Sequence, residues 1–94
     1  MKRYEITLLN VPGTPLPWTQ RIFDGLSPQI QVAEHYRLAY AITHRGVTYE
    51  EAQQIYIDVE LDEERYGEHL LDNIFQHKKW VMRYLIVRKE AENG

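Results

Sequence analysis

The chain contains no cysteine, and that absence removes disulfides, thiolate nucleophiles and every zinc site built on sulfur. Long apolar runs are missing too. The opening MKRYEITLLN has positive charge but too few apolar residues after it for the hydrophobic region of a secretory leader, and no stretch approaches membrane-spanning length. The expectation is a cytoplasmic protein with no membrane contact. Glycine-rich phosphate loops, a GxSxG nucleophile elbow and a dinucleotide fingerprint are all missing, as is HExxH or HxxxH spacing among the four histidines. The sequence therefore offers no catalytic site, no metal site and no cofactor, and it reads as a non-catalytic protein.

What is present is enough for one domain spanning 1–94, with 90–94 a frayed tail. The net charge of −3 is unevenly spread. Residues 50–72 carry nine acids against one base, Arg65, while the segments on either side are net basic. Within the acidic stretch Asp58, Glu60, Asp62, Glu63 and Glu64 fall inside seven residues, more charge than helix capping requires. Such a patch repels a nucleic acid backbone and suits a basic protein surface.

The last third of the chain has the clearest pattern. Asp62, Glu63 and Glu64 precede His77, Lys78 and Lys79, the order that a helix macrodipole favours. Between them Tyr66, Leu70, Leu71, Ile74 and Phe75 share one face at helical spacing. The spacing predicts a helix over 62–79, followed by an apolar strand over 81–88. At the other end, Tyr4, Ile6 and Leu8 alternate with Glu5 and Thr7, predicting a strand over 2–10 that pairs with the last one.

The middle is read as helical. Pro12, Gly13, Pro15 and Pro17 make a loop, and Trp18, Ile22 and Leu26 stack at i, i+4, i+8 in a short helical turn. Ser27-Pro28 offers a start for a helix to Arg45, with Gly46 as its stop. In this reading His35 lies on the apolar side as a core histidine. Thr48 and Glu51 have the spacing of a capping box, which predicts a second helix to Asp58. Ile55, Ile57, Val59 and Leu61 also alternate as a strand, so a third strand over 55–61 is the alternative.

The resulting expectation is an α+β fold in which paired terminal strands form a small sheet packed against three main helices. The functional expectation is a protein-binding or inhibitory module. Its acidic surface, Asp58, Glu60, Asp62, Glu63 and Glu64 with Trp18 as a contact residue, docks a basic partner, one candidate being a nucleic-acid-binding protein. Two alternatives are a homo-oligomeric structural protein, for which the seven tyrosines and a minimal sheet speak, and a small nucleic-acid binder. The latter would use Lys2, Arg3, Lys78, Lys79, Arg83, Arg88 and Lys89 near the two strands.

Overall fold

A computed structural model describes residues 2–15, 23, 25–62, 64, 68–76 and 78–89. Its elements in chain order are β1 (Lys2–Asn10), β2 (Gln29–His44), β3 (Val47–Leu61), α1 (Glu68–Gln76) and β4 (Val81–Lys89). The strands form one antiparallel sheet in the order β2-β3-β1-β4. Among the described residues the architecture is a four-stranded sheet with one short helix, which corrects the expected α+β fold with three main helices.

The two terminal strands do pair, Ile6 facing Ile86 and Thr7 facing Leu85. The correction concerns the middle. The helices expected over 28–45 and 48–58 are instead the two strands of a long hairpin, Gln29–His44 and Val47–Leu61, and the strand alternative at 55–61 understated it, since β3 begins at Val47. Gly46 is a turn residue instead of a helix stop. Arg45 and Gly46 have φ of 51° and 79°, the left-handed pair that a two-residue hairpin turn of type I′ requires. Thr48 faces Thr43 across the hairpin, with their hydroxyl oxygens 2.9 Å apart, so the apparent capping box is a cross-strand pair.

Apolar spacing fits both templates in these segments. The composition separates them, because Ile30, Val32, Ile42, Thr43, Val47, Thr48, Ile55, Ile57 and Val59 are β-branched and suit a pleated surface. β3 runs to Leu61, and the described helix begins at Glu68 and not at Asp62 as expected.

Among the described residues only one face of the sheet is covered. Tyr4, Ile6 and Leu8 of β1 and Ile55, Ile57, Val59 and Leu61 of β3 are buried together with Phe23, Leu71, Phe75 and Val81. Helix α1 is shorter than expected but uses the expected face, burying Leu71 and Phe75. The Phe75 ring lies 6.0 Å from that of Tyr84 on β4. On the opposite face Thr7, Leu9, Tyr56, Leu85 and Val87 come together, and Leu85 is 61% exposed.

The hairpin curls beyond the end of β1. Between Ala33, which faces Gln54, and Tyr36, which faces Ala52, β2 takes three steps for two on β3. Between Arg37, facing Glu51, and Ile42, facing Tyr49, it takes five for two. Extra residues on one strand bend a ribbon. The bend carries the tip back to the body, where His44 Nε2 donates to the Lys79 carbonyl at 2.6 Å.

The bend encloses a buried polar knot. Asn10 Nδ2 donates to Gln53 Oε1 at 3.3 Å. Gln53 Nε2 in turn donates to the Thr14 carbonyl at 2.9 Å and to Glu34 Oε2 at 3.0 Å. His35, expected in the core, is instead exposed, its Nδ1 lying 3.6 Å from Glu51 Oε2. The predicted helical turn over 18–26 falls mostly on residues outside those described, and the expected tail 90–94 lies entirely outside them.

Candidate protein-docking surface

The acidic stretch lies at one end of the sheet, and strand alternation sorts its members. Val59 and Leu61 point into the core, which leaves Asp58 and Glu60 on the open face. Asp58 is not a free charge. Arg3 Nε donates to Asp58 Oδ1 at 2.9 Å and Arg3 Nη2 to Asp58 Oδ2 at 2.5 Å, a bidentate pair joining β1 to β3. Hydrogen bonding from Arg3 holds the Asp58 carboxyl below its usual range, and the same pair keeps the guanidinium charged.

The network extends across β1. Glu5 Oε1 lies 3.8 Å from Arg3 Nη2 and 3.2 Å from Lys89 Nζ on β4. Desolvation, followed by the neighbouring Glu5 carboxylate, raises the pKa of Tyr56. Arg3, Glu5, Asp58 and Lys89 therefore form one chain of alternating sign over three adjacent strands.

Beyond this chain the charge is unbalanced. Glu60, Asp62 and Glu64 are exposed, and no ion pair ties them to a cation among the described residues. Asp62 also shapes its own loop, because its Oδ1 accepts a hydrogen bond from the Glu64 amide at 3.0 Å. A cleft of about 520 Å³ adjoins these residues, lined by Arg3, Leu26, Ser27, Gln29, Asp58 and Glu60. Of the residues expected to contact a partner, the structure thus brings together Asp58, Glu60, Asp62 and Glu64. Glu63 and Trp18 lie outside the described residues.

The basic residues do not gather into one patch. Arg3 and Lys89 are neutralised by the carboxylates named above, while Lys78 and Lys79 sit at the other end of β4. There Lys78 Nζ lies 5.8 Å from the Trp80 ring centroid. A second cleft of about 300 Å³ opens beside it, with Pro12, Tyr49 and Trp80 among its walls and Arg45 and Lys79 at its rim. Among the described residues no carboxylate lines it. Among the described residues no group of three or more His, Asp and Glu side chains is placed to hold a metal ion, and no helix is long and apolar enough to cross a membrane.

Sequence reasoning missed the Arg3, Glu5, Tyr56 and Lys89 network. Its signal was present in the alternation of Arg3, Glu5 and Thr7 with core residues, and of Tyr56, Asp58 and Glu60 with Ile57 and Val59. That signal is legible only once 55–61 is taken as a strand beside 2–10. The chain matches no protein-family model and no curated protein sequence.

Proposed function

We propose that this chain is a cytoplasmic, non-catalytic protein-binding module that docks a basic protein surface through the acidic end of its sheet. The observation that carries the reading is the division of labour among the acids. Asp58 and Glu5 are already engaged by Arg3 and Lys89, whereas Glu60, Asp62 and Glu64 project beyond the network with no described counterion. The internal network ties β1, β3 and β4 together at the end of the sheet where Glu60 lies. Preorganised charge of one sign favours fast, salt-sensitive association with a complementary surface.

The test compares two matched charge reversals as bait in quantitative affinity capture at low and high salt. Glu60→Lys with Glu64→Lys alters the proposed surface, and Glu50→Lys with Glu51→Lys alters exposed acids elsewhere on β3. The expected result is a protein retained at low salt by the wild type and by the second variant. The first variant should lose it at least tenfold, and high salt should release it. A partner retained equally by both variants, or held unchanged at high salt, overturns the reading.

A further inference from the structure

The sheet has two edge strands, β2 and β4, and they are protected differently. Unpaired strand edges invite pairing with another chain, and proteins guard them with charge, bulges or proline. β4 carries Arg83, Arg88 and Lys89 along its nine residues. On β2 the bulges and the charged residues Glu34 and Arg37 begin only after Ala33. The segment Gln29–Ala33, QIQVA, has no charge and keeps a regular register with β3, Gln29 facing Asp58 through Ala33 facing Gln54. Among the described residues no strand occupies its outer side. Val32, which faces the buried Ile55 across the ladder, is itself 38% accessible at this edge.

We infer that two copies of the chain pair through this segment, β2 against β2 in antiparallel register about a two-fold axis at Gln31, forming one continuous eight-stranded sheet.

The register follows from symmetry. A two-fold axis perpendicular to the sheet keeps both covered faces on the same side, so opposite residues share parity and the axis passes through a residue. Centring on Gln31 sets Ile30 beside the partner's Val32 on the covered face, which extends the apolar layer across the junction. It sets Gln29 beside the partner's Ala33 on the open face. The ladder ends with Glu34 opposite the partner's Pro28, where a missing amide and a bulge make natural stops. Centring on Val32 instead sets Ile30 against the partner's Glu34, an apolar residue against a charge. The five residues paired on each strand are a usual strand length, about five to six. The occupant is a second copy because the segment is complementary to itself: uncharged, with apolar residues meeting apolar residues about its own centre. This inference does not depend on the acidic docking surface.

The absence of cysteine supplies a direct test. A residue on the axis of an antiparallel pair meets its own copy at about 4.5 to 5.5 Å between Cα atoms. A disulfide spans about 4.4 to 6.8 Å. Gln31→Cys should therefore oxidise to a covalent dimer, whereas Leu85→Cys, exposed on the open face of β4, should remain monomeric under the same mild oxidant. Sedimentation equilibrium of the wild type should approach twice 11.2 kDa as concentration rises. Val32→Lys should hold the chain at the single mass, with the strand signal in circular dichroism unchanged. A wild type that stays at 11.2 kDa at the highest soluble concentration overturns the inference. So does a dimer that crosslinks through Leu85→Cys and not through Gln31→Cys.

Discussion

Arg3 faces Glu60 across the β1–β3 ladder, yet its guanidinium reaches diagonally to Asp58 and closes a bidentate pair. Because the folded Asp58 carboxyl lies below its unfolded value, its contribution to stability is complete above about pH 4, where the unfolded carboxylate is already ionised. It is lost as pH falls through the lower, folded-state value. Urea unfolding at several pH values should therefore show wild type and Asp58→Asn converging in stability below pH ~4 and separating above it. Gln53 makes a different kind of link, joining Asn10, Thr14 and Glu34 from a buried position. Gln53→Ala should lower unfolding free energy by about 1 to 3 kcal/mol for each buried group left without a partner, as read from a urea midpoint. Neither role is visible in the sequence alone. An Asp in an acidic run and a Gln in an alternating segment look like surface residues until the register names their neighbours.

At the scale of the element, the terminal strands and the apolar face of the helix were legible because each pattern fits one template only. Leu71 and Phe75 fill the core from the expected face, and Leu71→Ala should cost about 2 to 5 kcal/mol in chemical denaturation, since the site is sealed by the sheet. The hairpin was not legible. Alternating and helical templates both accept residues 29–61, and Gly46 punctuates a helix as readily as a turn. The structure resolves this at Arg45, whose positive φ is expensive for a side chain with a β-carbon. Arg45→Asn should raise stability by about 1 kcal/mol in thermal or urea unfolding, because asparagine tolerates the left-handed conformation at this turn.

Across the whole molecule, β3 runs from a basic end to an acidic one. Arg45 and Lys79 stand beside the hairpin tip, while Glu60, Asp62 and Glu64 flank or follow Leu61, the last core residue of the strand. The described chain has a Cα radius of gyration of 13.8 Å. In small-angle scattering the apparent radius should climb well beyond the monomer value as concentration rises if β2 pairs with its copy, and Val32→Lys should abolish that rise. The acidic residues were legible as charge density in the sequence, but their division into paired Asp58 and exposed Glu60, Asp62 and Glu64 was not. By itself the sequence determined what depends on residue type and local spacing. That comprises the absence of thiol chemistry, the uneven charge, the two terminal strands and the core-facing side of the helix. The tertiary structure decided which of two locally acceptable patterns the middle adopts and which charges cancel. Both outcomes depend on partners distant in the chain: a strand is completed only by its neighbour's hydrogen bonds, and a carboxylate is neutralised only by a cation that the register brings to it.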